Sequence, residues 1–206
     1  MDEYGGYMLS FNGARITCCS TGEVVYDRAL PDAVIRPVFD AVKTYPGTDI
    51  ITYTDTEILS GICPNQYTAK ESAINRMEVR LVDDFPSALT FPVNKMLIPG
   101  DPDTLDILMD QLKTQYHGLL NIYKSEPYFL EIMPQNIDKA YSLRKLLDAD
   151  QMICCGDGYN DVSMIEYAGL GVAMANAQDV VKEAADFITY SNDEDGVLHV
   201  IDLFLR

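Results

Sequence analysis

Short apolar runs separated by turn residues give residues 7–27 the look of β structure, and later stretches repeat their apolar positions every three or four residues. Tyr7–Phe11 predicts a strand, and Asn12-Gly13-Ala14 predicts a bend. Arg15–Cys19 and Glu23–Tyr26 predict a hairpin around Ser20-Thr21-Gly22, with Gly where the turn needs a positive φ. Pro31-Asp32 opens a helix through about Tyr45, with Val34, Val38, Ala41 and Val42 on one face, and Pro46-Gly47 stops it. Asp49–Tyr53 and Glu57–Leu59 read as paired strands, the polar stretch 66–80 as a helix, and Val93–Ile98 as a strand. Asp101-Pro102-Asp103-Thr104 opens a helix through about Tyr116, and Leu119–Lys124 and Tyr128–Ile132 read as two strands.

From Asp138 onward the pattern changes. Ala140–Leu147 is helical, Met152–Cys155 is a short buried strand, and a helix runs from the Asn160-Asp161 pair to Ala168, closed by Gly169. Gly171–Met174 is a strand. Asn176–Ala185 is a helix with Asn176 as its cap, Phe187–Tyr190 a strand, and Asp193–Leu205 a final helix. Strands alternating with helices imply parallel β-α units, whose ligands collect beyond the carboxyl ends of the strands.

That geometry draws attention to Gly156-Asp157-Gly158-Tyr159-Asn160-Asp161, which follows the buried strand. Asp157 sits at the carboxyl end of the strand, and Asn160 and Asp161 at the amino end of the next helix, which favours both. Two carboxylates and a carboxamide in five residues suit a hard cation such as Mg²⁺. An ordinary strand-turn-helix with a capping Asp explains the same residues, and residue chemistry alone leaves both readings open. An EF-hand loop is excluded, because counting from Asp157 puts Tyr159 at the third ligand position and Ala168 at the twelfth.

Composition narrows the partners. The chain has 206 residues, 48% of them hydrophobic, and a formal net charge of −17. A core is therefore expected, in one large domain or two small ones. Nucleic acid and anionic membrane are disfavoured as partners, and an anionic substrate requires a local cation, either a metal or a placed Lys or Arg. Met1–Gly6 lacks the basic and apolar regions of a signal peptide, and no apolar run is long enough to span a bilayer. Cys18, Cys19, Cys63, Cys154 and Cys155 form neither a Cys-x-x-Cys motif nor a zinc spacing, so reduced, mostly buried thiols in a cytoplasmic protein are expected. His117 and His199 are expected on helix surfaces and are assigned no role.

Several segments in order resemble a known family. Asp138-Lys139-Ala140, Gly156–Asp161, Met164–Ala177, Ala184-Ala185-Asp186 and Ser191–Val197 closely resemble the C-terminal part of Cof-type haloacid dehalogenase-like phosphatases (subclass IIB cap). Ser10–Ala14 and Phe129–Pro134 match more weakly. The resemblance implies an α/β fold: a Rossmann-like core with a parallel sheet, formed by residues 1–29 and 132–206, and an inserted α/β cap at 30–131. It implies Mg²⁺-dependent hydrolysis of small phosphate esters, such as sugar phosphates or similar metabolites. Asp157 is then the metal carboxylate and Asp161 supports the metal shell. Asn160 orients the site, Lys139 steadies phosphate and nucleophile charge, and Asn192 is a further candidate for phosphate contact. A lysine at a helix start is electrostatically disfavoured, which agrees with a role for Lys139. Asn192 reads equally well as a cap or turn residue.

The family's Asp-x-Asp-Gly-Thr, which carries the nucleophile and the acid/base, has no counterpart in residues 1–206. Asp101-Pro102-Asp103-Thr104 is not a substitute. Pro99-Gly100 separates it from its strand, and an Asp N-cap followed by Pro explains it. The short linker Asp148–Gln151 predicts a shortened helix before it. The expectation is an incomplete core whose first strands are missing. Such a chain would be inactive by itself and would pair with a separate N-terminal segment or with itself through an exposed sheet edge. The alternative is a non-catalytic binder of a phosphometabolite or a protein.

Overall fold

The computed structural model describes residues 5–206, so most of the Met1–Gly6 stretch lies outside the described residues. The chain forms two compact units, one from the residues up to Tyr26 together with Ile137–Arg206, the other from Asp27–Asn136.

In the first unit, β1 (Tyr7–Ser10) pairs antiparallel with β2 (Arg15–Cys18), and β3 (Val24–Asp27) completes a three-stranded sheet in the order β1-β2-β3. The predicted bend is a 3₁₀ turn at Phe11–Gly13 in which Asn12 and Gly13 have φ of 52° and 94°. A side chain at Gly13 would also meet Ser142 Oγ at 2.3 Å. Only glycine meets both conditions without strain.

The second unit is built on a six-stranded sheet. α1 (Asp32–Val42) leads to β4 (Ile51–Tyr53) and β5 (Glu57–Ser60). α2 (Gln66–Asn75), β6 (Glu78–Leu81), α3 (Phe85–Ala88), β7 (Met96–Pro99), α4 (Pro102–Gln115), β8 (Leu120–Glu126) and β9 (Phe129–Pro134) follow. The strand order is β6-β5-β4-β7-β9-β8, with only β5 and β6 parallel. Val34 and Val38 of α1 and Leu105, Leu108 and Leu112 of α4 pack with Ile50, Met96, Ile98, Leu130 and Ile132. Ile51, Ile58, Leu97 and Phe129 form a second cluster, with Tyr67 of α2 against it. Alternate residues of one strand thus serve opposite faces. Asp101 is an N-cap, accepting from the Asp103 amide at 3.2 Å.

The predicted helix over 66–80 is corrected here. It ends at Asn75, where Arg76 takes a left-handed φ of 55°, and Glu78–Leu81 becomes an edge strand. Cross-strand pairing explains the switch, because the Arg80 guanidinium bonds Glu57 on β5, a partner that local periodicity does not show.

Returning to the first unit, α5 (Lys139–Leu143) ends earlier than the predicted 140–147. β10 (Ile153–Gly156), α6 (Val162–Tyr167), β11 (Leu170–Ala173), α7 (Asp179–Glu183), β12 (Phe187–Ile188) and α8 (Gly196–Phe204) follow. β10, β11 and β12 are parallel and in that order. Ile165, Ala173, Ala177 and Val181 form the core between β11 and its helices. Asn176 precedes α7 rather than capping it, and Gln178 occupies the cap position. Only Cys154 of the five free thiols is buried, against the expectation of mostly buried cysteines. His117 lies on an exposed turn after α4, not on a helix. His199 is on α8 but half-buried, stacked on Tyr190 and bonded to Thr189 Oγ1 at 3.0 Å. Among the described residues no helix is long and apolar enough to cross a membrane.

Candidate functional site

The loop after β10 is shaped by one carboxylate. Asp161 Oδ2 accepts from the amides of Asp157 and Gly158, both at 3.1 Å, and Oδ1 pairs with the Lys139 ammonium. The Asp161 side chain is 7% exposed and that of Lys139 30%. The turn can close this tightly because residue 156 is Gly: a Cβ there would lie 2.4 Å from Asp161 Cβ. Holding the loop from below leaves Asp157 exposed at the carboxyl end of β10.

Neighbouring loops reach the same point. Asn160 Nδ2 donates to Asn12 Oδ1 at 3.2 Å. Asn12 is held there because Ser142 Oγ donates to the Gly13 carbonyl at 2.6 Å, fastening the β1–β2 turn to α5. From the loop after β11, Asn176 Nδ2 donates to Asp157 Oδ2 at 2.9 Å, and its Oδ1 accepts from the Asn192 amide at 2.9 Å, in the turn after β12. Lys139, Asp157, Asn160 and Asp161 therefore share one site. The Asn192 backbone joins it through Asn176, while the Asn192 side chain is exposed. Asn12 and Asn176 were not foreseen as site residues. The Asn-Gly dipeptide signals a turn, and Asn before a helix signals a cap, but neither signal shows which loop lies opposite.

A cation, three carboxamides and an exposed carboxylate beside the carboxyl ends of parallel strands make a site for an anionic ligand. The model of the haloacid dehalogenase-like hydrolases matches residues 1–201. The chain belongs to this family. A crystal structure of a haloacid dehalogenase-like hydrolase from Bacteroides thetaiotaomicron is 43% identical with a TM-score of 0.93, over 98% of this chain and 77% of that one. The Bacillus subtilis protein YxeH, provisionally named a phosphatase, is 30% identical over 220 residues, 97% of this chain and 76% of the relative. The Bacillus subtilis 5-amino-6-(5-phospho-D-ribitylamino)uracil phosphatase YcsE is 41% identical over 106 residues, 49% of this chain and 42% of the relative. The fold is accordingly a haloacid dehalogenase-like α/β core carrying an inserted α/β unit.

Phosphatases of the haloacid dehalogenase superfamily generally use Mg²⁺. The donor chemistry here fits that ion in part. Among the described residues no three His, Cys, Asp or Glu side chains converge as a metal cage. Mg²⁺ does not require one, since it keeps several waters and takes one or two carboxylates plus substrate phosphate. Asp157 offers a solvent-facing carboxylate of the hard-oxygen type. Asp161, by contrast, already serves an ammonium and two amides, so its contribution runs through the loop it holds. Beside the site, burial pushes the Cys154 thiol up, with the Cys155 and Asp161 charges adding to it, so that this residue is an inert neighbour.

Proposed function

We propose that this haloacid dehalogenase-like hydrolase serves Mg²⁺-dependent cleavage of small phosphate esters, of the sugar- or polyol-phosphate kind. The observation that carries the reading is the division of labour between two carboxylates four residues apart. Asp161 is consumed by Lys139 and two amides, which frees Asp157 to meet a cation. Asp157 would hold Mg²⁺, which would supply charge neutralisation at a phosphoryl oxygen. Lys139 supplies a fixed positive charge beside it, and Asn160 donates from an amide oriented by Asn12. The exposed Asn192 side chain is a further phosphate contact. YcsE, by its name, acts on a ribityl phosphate, a substrate of this class.

A second reading has its own support. A covalent route needs another free carboxylate as nucleophile, and the Asp157–Asp161 pair does not provide one. On this reading the chain binds phosphometabolites without turnover, or completes its site with a strand from another segment or a second copy along the edge of β10 that no strand of the described residues covers. The decisive measurement pairs calorimetry with phosphate release, using ribitol 5-phosphate and Mg²⁺. Binding with release that Asp157→Asn lowers by at least about a hundredfold supports the hydrolase. Binding without release supports the second reading, and absence of binding removes both.

A further inference from the structure

Asn176 is the residue on which the loops after all three parallel strands converge. Its side chain lies between Asp157, after β10, and the Asn192 amide, after β12. The orientation of its carboxamide is determined by chemistry. A backbone N–H can only donate, so Oδ1 must face Asn192, and Nδ2 is left to donate to the Asp157 carboxylate. The backbone on either side is fixed. The Ala175 amide donates to the Tyr190 carbonyl at 3.2 Å, and Ala177 is 5% exposed in the core of the unit. The amide is thus presented from an anchored segment, not from a floppy loop.

We infer that Asn176 is a positioning residue that occupies Asp157 Oδ2 and fixes the carboxylate so that Oδ1 faces a divalent cation, with the Asn192 amide setting the carboxamide's orientation in turn. The inference rests on the cation-binding reading of Asp157 given above. Partners that orient a ligating carboxylate typically contribute about 10- to 100-fold in metal affinity.

The test is Mn²⁺ and Mg²⁺ affinity of the full chain, measured by calorimetry with no phosphate ester present. Asn176→Ala should weaken cation binding about tenfold. Asn192→Pro removes only the amide donor from the chain of bonds. Asn192 opens a 3₁₀ turn and Ser191 is already extended (φ −71°, ψ 169°), so Pro fits the backbone. It should weaken cation binding in the same direction with the melting temperature retained, whereas Asn192→Ala keeps the amide and should match wild type in cation affinity. A merely structural Asn176 would leave cation affinity unmoved in both Asn176→Ala and Asn192→Pro, and that result overturns its role while sparing the cation reading. A wild-type chain that binds neither cation overturns both.

Discussion

Asp161 illustrates how much one buried carboxylate can organise. Its three donors are an ammonium and two backbone amides. They are there because Gly156 lets the loop fold back and α5 delivers Lys139. Replacing Asp161 by Asn removes the charge that Lys139 meets and puts a possible donor against two amides. With Lys139 30% exposed, solvent screens part of the loss. Asp161→Asn should lower stability by about 2 kcal/mol in urea denaturation, because charge-assisted bonds to a nearly buried group are broken. An unchanged midpoint would mean the loop holds its shape without this carboxylate. The residue types at this site were readable in advance, since Gly-Asp-Gly followed by Asn-Asp after an apolar strand signals a turn with oxygen donors. Which of the two aspartates faces outward was not readable, because both have the same chemistry until Lys139 is brought to one of them.

At the scale of elements, β10 is both the seat of the loop and an edge. Among the described residues no strand pairs with its outer side, and Ile153-Cys154-Cys155-Gly156 has no charge, Pro or bulge to discourage pairing. The chain should therefore associate as its concentration rises. Cys155→Lys, at a half-buried position of that strand, should shift sedimentation toward monomer. Equal sedimentation of both proteins at all concentrations would show that the edge is not the contact. Element types were largely legible here because their periods are local properties. The exception, 66–80, is instructive: Glu78–Leu81 is a strand only because β5 lies beside it and Glu57 meets Arg80. A polar stretch with weak periodicity takes the structure its neighbour imposes.

For the whole molecule, a formal charge of −17 concentrates like charges on a small surface. Their mutual repulsion is screened by salt over a Debye length of about 10 Å at 0.1 M. The melting temperature should rise between about 10 and 200 mM NaCl, a roughly twentyfold increase in ionic strength; a fall would show that attractive pairs such as Lys139–Asp161 outweigh the repulsion. The division into two units follows from separate apolar cores, two clusters on the faces of the six-stranded sheet and one between β11 and its helices. By itself the sequence determined the strand-helix alternation, the glycine turns, the family, and the stretch from Gly156 to Asp161 as the place where chemistry would gather. These depend on spacing and on residue type, which are properties of the chain alone. Only the tertiary structure decided that Asp157 faces solvent while Asp161 is enclosed, and that Asn12 and Asn176 belong to the site. Those facts depend on which loops the strand order sets side by side, and hydrogen bonds between residues as far apart as Asn12 and Asn160 leave no trace in local periodicity.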